Sequence, residues 1–349
     1  MPGARTKSVL KGCSLGCGAL ALLVALGVLW LAHTISKSTG EIELTAHHPF
    51  RSPAARERYL TRYDERAREW PIPSETRMVE TSWGQTFVRI SGPIGTPPLV
   101  LLPGASATSL QWIPNVQALS RSHRTYAVDN IYDVGRSIYS RRFSSGDDFA
   151  EWLDELFTAL DLGNDVTLMG LSYGGWVTSQ YALAHPERLR GAVLVAPAGT
   201  VLNLSAGFIK RAILSAIPHR FFVRNLIFWL AEDSLTMGGT AKEQIEAFSE
   251  DGYLGLRCFK FKQLVNPRVL SDDELASLEI PVLFLVGEKE RIYAAAAAVE
   301  RLHRVAPTIE TEVIPGAGHD LTLARADVVN ARVSRFLEER RAGSEDAPR

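Results

Sequence analysis

Three residues carry side chains that could serve as a nucleophile, its base and the acid that orients the base. They are Ser172 in Gly170-Leu171-Ser172-Tyr173-Gly174, Glu290 in Gly287-Glu288-Lys289-Glu290, and His319 in Gly316-Ala317-Gly318-His319. A serine hydroxyl is a weak nucleophile until a neutral imidazole takes its proton, and a carboxylate then fixes the imidazole tautomer and balances the charge created by the transfer. His319 would accept the Ser172 proton during attack and return it to the leaving group. Glu288 is the nearest competitor for the acid role. The chain order serine, acid, histidine favours Glu290, where an aspartate is more usual but a glutamate suffices. The oxyanion that such an attack creates needs two donors. One would be the backbone N–H of Tyr173; the other would be the Ala105 N–H in Pro103-Gly104-Ala105-Ser106, where Gly104 permits close backbone approach. Ser106 reads as a brace for that loop.

These residues are useful only if the fold gathers them. Ser172 follows the apolar run VTLMG and precedes GGWVTSQYALAHP, so the motif sits on a strand, a turn and a helix, the setting of a nucleophile elbow. Around it, the runs PLVLL, RTYAV, GAVLV and PVLFLV alternate with stretches of helical period such as DDFAEWLDELFTALDL. Buried strands alternating with helices predict an α/β fold with a mostly parallel sheet covered on both faces. Strand C-termini of such a sheet lie along one edge, so a serine after a middle strand and a histidine after the last can meet. RMVETSWGQTFVRISG reads as a hairpin about Trp83-Gly84. The pattern breaks between residues 199 and 279, where FIKRAILSAIPHRFFVRNLIFWLAED predicts helices interrupted at Pro218. The expected organisation is a leader at 1–12, a membrane anchor at 13–33, a spacer with a surface helix at 34–76, a core at 77–198 and 280–341 split by a helical cap at 199–279, and a disordered tail at 342–349. Phe208, Phe221 and Phe222 of the cap are the candidate walls of a lipophilic pocket.

Composition narrows the partners. A net charge of −1 and the lack of a Lys/Arg cluster in the folded part exclude broad attraction to nucleic acid. No metal-ligand spacing appears, and the proposed chemistry calls for no cofactor. Cys13 and Cys17 lie in the N-terminal apolar run, leaving Cys258 alone in the remainder and no internal disulfide there. From Cys13 to Ala32 there are 20 residues without a charge, preceded by Arg5, Lys7 and Lys11. That length spans a hydrocarbon core of roughly 30 Å as a helix, and the cationic leader places the rest of the chain outside the cytoplasm. The expectation is a single-pass membrane protein with an extracytoplasmic catalytic domain. Secretion after signal cleavage is the alternative, disfavoured by the long apolar run and the poor small-x-small site.

The segments PGASATSLQWIPNVQALSRSHRTYAVD, GLSYGG, GEKERIY and GAGHDLTL resemble the α/β-hydrolase superfamily, and more narrowly bacterial carboxylesterases of the naproxen-esterase type. The likeness runs from about Glu80 to Leu337. In that group the acid is a glutamate within a GExE segment, which implies that role for Glu290, with Ser172 as nucleophile and His319 as base. Pro103 departs from the superfamily, which commonly has histidine there to hold the oxyanion loop. The implied activity is hydrolysis of a small, lipophilic carboxylic ester through an acyl-enzyme. The same residue set serves carbon–carbon bond hydrolysis, lactone hydrolysis and acyl transfer. A hydrolase-fold binding protein without catalysis is the alternative from a different class.

Overall fold

The computed structural model describes residues 42–260, 262 and 264–345. The expected anchor at 13–33 lies outside them, and among the described residues no helix is long and apolar enough to cross a membrane. The chain divides into two units. The larger, Leu44–Phe259 with Leu264–Arg349, holds every element below; the smaller, Met1–Glu43 with Lys260–Gln263, lies almost wholly outside the described residues.

The sheet is built as the alternation of apolar runs requires. Strands β1 (Ser74–Thr81) and β2 (Gly84–Ser91) form the antiparallel hairpin, with Thr81 opposite Gly84. Gly84 has φ +124, and a Cβ there would lie 2.2 Å from the Ile138 carbonyl oxygen, so the turn requires glycine. Then come β3 (Pro98–Leu102), β4 (Arg124–Val128), the two-residue β5 (Ile138–Tyr139), β6 (Val166–Leu171), β7 (Leu189–Val195), β8 (Val282–Gly287) and β9 (Glu310–Ile314). Their order across the sheet is β1-β2-β4-β3-β6-β7-β8-β9, with β5 on β2. From β4 to β9 all neighbours are parallel. Every residue of β6 and β8 is buried, because helices cover both faces.

The helices follow from capping and period. Helix α1 (Pro53–Ala67) starts at Ser52, whose side chain accepts from the Ala55 N–H. Helix α2 (Ile113–Leu119) extends a single 3-10 turn at Ser109–Trp112. Helix α3 (Gly146–Ala159) opens with a capping box between Ser145 and Asp148 and buries Phe149, Trp152, Leu153, Leu156 and Phe157, one face at i, i+3, i+4, i+7, i+8. Helix α4 (Tyr173–Ala184) follows Ser172 directly. Between β7 and β8 lie α5 (Ala206–Ser215), α6 (Arg220–Leu230), α7 (Glu232–Met237), α8 (Gly239–Cys258) and the short α9 (Asp272–Ala276). The break between α5 and α6 falls at Pro218. Helix α10 (Ala295–Val305) precedes β9, and α11 (Leu321–Ala324) and α12 (Ala326–Glu345) close the chain. The closing helix runs four residues into the segment expected to be a tail.

One element differs in kind from its sequence reading. Helix α1, charged at seven of its 15 residues, reads as a solvated spacer, yet Tyr59 and Tyr63 are 5% and 4% exposed and belong to the main apolar core. Two aromatic side chains one turn apart form a narrow buried stripe, which the surrounding arginines and glutamates hide in any composition average. Arg62 and Arg66, on the same helix, both pair with Asp251 of α8, so α1 binds the helical segment that follows β7.

Candidate active site

Ser172 sits where β6 ends and α4 begins, with φ 53 and ψ −113, a backbone conformation costly for a residue with a Cβ. Its surroundings hold it there. Its N–H donates to the Val195 carbonyl at 2.9 Å, and its carbonyl accepts from Ala198 and Trp176, each at 3.0 Å. The glycines around it are required by contact. A Cβ on Gly170 would lie 2.1 Å from the Gly174 carbonyl oxygen, and one on Gly174 would lie 2.4 Å from that of Leu102. The Ser172 side chain makes no capping bond to its own helix.

Glu290 and His319 come from the turns after β8 and β9. A Cβ at Gly287 would lie 2.3 Å from the Ala317 carbonyl oxygen, so glycine lets the two turns touch, and the Lys289 N–H donates to that carbonyl at 2.8 Å. His319 Nδ1 stands 2.9 Å from Glu290 Oε2. The other carboxylate oxygen accepts the N–H of Arg291 at 2.7 Å and of Ile292 at 2.9 Å. Glu288, the competitor, points elsewhere: its carboxylate accepts the Gly316 N–H at 2.8 Å and braces the turn that carries the histidine. Burial penalises the charged form of both partners, but each one's charge and their shared hydrogen bond outweigh it. The His319 pKa is raised and that of Glu290 lowered. Such a bond leaves Nε2 as the ring nitrogen that can accept a proton.

The loop after β3 comes close to Ser172. A Cβ built on Gly104 would be 3.5 Å from the Ser172 Cβ, ordinary contact, so glycine here is convenient rather than forced. The loop is tethered on both sides of Ala105. The Gly104 N–H donates to Gln111 Oε1 at 2.8 Å, and the Ser106 N–H donates to Asp133 Oδ2 at 2.8 Å. Those two side chains hold a loop that starts with Pro103 instead of histidine. Ser106 contributes through its backbone, with φ 59. Tyr173, as the first residue of α4, has no intrahelical acceptor for its N–H.

A cavity of about 150 Å³ adjoins His319 and Leu171. The loop after β3 lines one side with Ala107 and Leu110, α6 and α8 another with Leu230, Ile245 and Phe248, and α1 a third with Tyr59 and Tyr63. Phe208, Phe221 and Phe222 do not line it. Phe221 is 63% exposed and borders a separate surface groove with Phe228 and Trp229. Helical period marks those phenylalanines as belonging to apolar faces, but not which face meets the cavity. The place of α1 in the wall is hidden in the sequence by the charges around Tyr59 and Tyr63. Helix α7 latches onto the site from above: Asp233 pairs with Lys289 at 2.9 Å, Glu232 with Arg291, and Asp320 accepts the Ser234 N–H at 3.1 Å.

A parallel sheet with an elbow serine, a loop after β3 turned toward it, and an acid–histidine pair on the last two strands defines the class. The chain belongs to the alpha/beta hydrolase family, whose model matches residues 99–332. Among its relatives it is 36% identical to carboxylesterase YbfK of Bacillus subtilis over 280 residues, covering 80% of this chain and 93% of that one. It is 35% identical to the uncharacterised carboxylesterase nap of the same organism over 286 residues, 80% of this chain and 92% of the relative. The crystal structure of the B. subtilis naproxen esterase superposes with a TM-score of 0.74 at 33% identity, covering 85% of this chain and all of the other.

Proposed function

We propose that the protein is a serine hydrolase of carboxylic esters in which Ser172 attacks the acyl carbon, His319 carries the proton and Glu290 orients the imidazole. The single observation that carries this reading is the 2.9 Å His319–Glu290 bond between turns of the sheet edge on which the strained Ser172 also lies. Attack forms the bond from Ser172 Oγ to the carbonyl carbon as His319 takes the hydroxyl proton. Collapse breaks the bond to the leaving oxygen, which takes the proton from His319 and departs as the alcohol, and water repeats the sequence on the acyl-enzyme. The Ala105 and Tyr173 N–H groups would hold the oxyanion. The carboxylesterase relatives favour esters over carbon–carbon bonds or lactones. A fluorophosphonate should label the folded wild-type protein once, at Ser172. Labelling of a Ser172→Ala variant, or full esterase activity in it, would overturn the reading.

The uncharged run at 13–33 supports a single-pass anchor with the hydrolase outside the cytoplasm. Protease added to cells with a permeabilised outer barrier should then degrade the hydrolase domain, and protection of that domain would refute this orientation.

A further inference from the structure

Four of the ten large apolar side chains exposed among the described residues lie within 13 positions of one another: Ile209 (45%), Ile213 (59%), Ile217 (38%) and Phe221 (63%). The other six are scattered, as single exposed apolar residues normally are. The spacing of four puts Ile209, Ile213 and Ile217 in one row along α5 and its C-terminal turn, with Phe221 opening α6. The same stretch, from Ser205 to Leu230, contains no aspartate or glutamate and holds Lys210, Arg211, Arg220 and Arg224. Helix α8 supplies Glu250 to Arg220 and Glu246 to Arg224; Arg211 lies over the Trp229 ring and donates to the Gly207 carbonyl, and exposed Lys210 has no carboxylate at ion-pair distance among the described residues. An exposed apolar row flanked by cations, with Lys210 free of any carboxylate partner among the described residues, is the pattern of a helix that lies in the boundary between headgroups and acyl chains.

We propose that this face of α5 and the start of α6 docks on an anionic lipid surface. Charge complementarity selects that occupant. A second copy meeting the same patch about a two-fold axis would bring two faces of the same positive sign together, whereas anionic headgroups neutralise that charge and the acyl boundary takes up the isoleucines. The proposal uses the anchored reading only to keep the lipid close: from Ala32 to Leu44 the sequence supplies eleven intervening residues, at most about 40 Å when fully extended. Docking places the elements that wall the cavity at the lipid surface, so substrate would be drawn from esters dissolved there.

The test uses the full chain with Cys13→Ser and Cys17→Ser, Cys258 being buried, and an environment-sensitive fluorophore on Ile213→Cys. The control position is Ile94→Cys, 87% exposed in the loop after β2. Each is placed in nanodiscs of phosphatidylcholine with or without phosphatidylglycerol. Docking requires a blue shift of the Ile213→Cys probe and its quenching by spin-labelled lipid in the anionic discs, reduced at high salt, with neither change at Ile94→Cys. An unshifted Ile213→Cys probe in a chain that co-elutes with the discs overturns the docking and leaves the anchor standing. A shift that lipid quenchers do not reach and that grows with protein concentration assigns the face to a second copy, and equal shifts in neutral discs remove the role of charge; either result overturns the proposal. If the chain does not co-elute, the anchor is refuted, and the same probe must still shift on added anionic vesicles for the docking to hold.

Discussion

Glu290 accepts three hydrogen bonds, one from His319 and two from backbone N–H groups, while its side chain is fully removed from solvent. The backbone bonds fix the carboxylate before the histidine arrives, so the imidazole takes its orientation and most of the rise in its pKa from one residue, with the Asp320 charge adding a smaller part. Activity should therefore fall on the acid side at a pH above 6.5, the ordinary imidazole value, because a protonated His319 cannot act as a base. Glu290→Gln removes the main charge that raises this pKa and leaves burial, which lowers it and outweighs the smaller contribution of Asp320. In that variant the acid limb of kcat/KM should move below 6.5 while the rate drops by up to ~10⁴-fold. A limb that stays in place would show that another group titrates. Stability has the opposite dependence on each partner. The raised His319 pKa contributes below pH 6.5 and is lost as pH rises through the folded value. The lowered Glu290 pKa contributes above pH 4.5 and is lost as pH falls through its folded value. The pair therefore stabilises most between those two values, and thermal melts of wild type minus Glu290→Gln across pH should peak there.

At the scale of elements, the loop after β3 is held by side chains from two other segments. Gln111 at the 3-10 turn and Asp133 beyond β4 each accept one loop N–H, on either side of Ala105. Behind them Asp129, fully buried, accepts the Ser109 N–H at 2.7 Å, the Arg136 N–H at 2.8 Å and the Tyr63 hydroxyl at 3.2 Å. Gln111→Ala should lower kcat toward the ~10²-fold that an ångström of misplacement costs, with a smaller change in KM, because the proposed oxyanion donor at Ala105 would act on the transition state. Proportional losses in KM with kcat unchanged would assign Gln111 to substrate binding instead. The chain through Tyr63 makes α1 part of the same support. Tyr63→Ala should destabilise the fold by about 3–5 kcal/mol, measured by denaturant unfolding, although the helix precedes the family-matched residues. The alternation of apolar runs made the strands, their parallel pairing and the helix break at Pro218 legible in the sequence, and the glycines around Ser172 marked the elbow. What local pattern could not carry was side-chain direction across long separations. Glu288 and Glu290 are both chemically able, and only the register of the touching turns sends one to His319 and the other to Gly316. Asp133, Gln111 and Tyr63 lack any motif, since each acts on a backbone or carboxylate brought near by the tertiary fold.

At the scale of the whole molecule, four parts of the chain converge on one space, which for the proposed esterase would set the substrate range. Helix α1, the loop after β3, α6 and α8 wall the cavity beside His319, and the pairs from Arg62 and Arg66 to Asp251 hold α1 against α8 at 2.8 and 3.2 Å. These pairs are partly buried and share one carboxylate, so the wall resists opening more than an isolated surface pair would allow. The space of about 150 Å³ equals the size of an engineered apolar cavity that takes up benzene. It accommodates about six carbons, one ring or a short acyl chain. In a series of aryl esters, kcat/KM should rise by about fourfold per methylene while each is buried, the equivalent of ~0.8 kcal/mol. The rise should flatten near six carbons, where further methylenes must remain in the mouth. Phe248→Ala enlarges the α8 wall without touching Ser172 or His319, and should move that plateau to longer chains while leaving acetate esters nearly unchanged. A rise that continues to dodecanoate in wild type would mean that α1 and α8 part during turnover. Asp251→Asn, which weakens their connection, would then lengthen the preference further, whereas walls held as the structure has them give the early plateau.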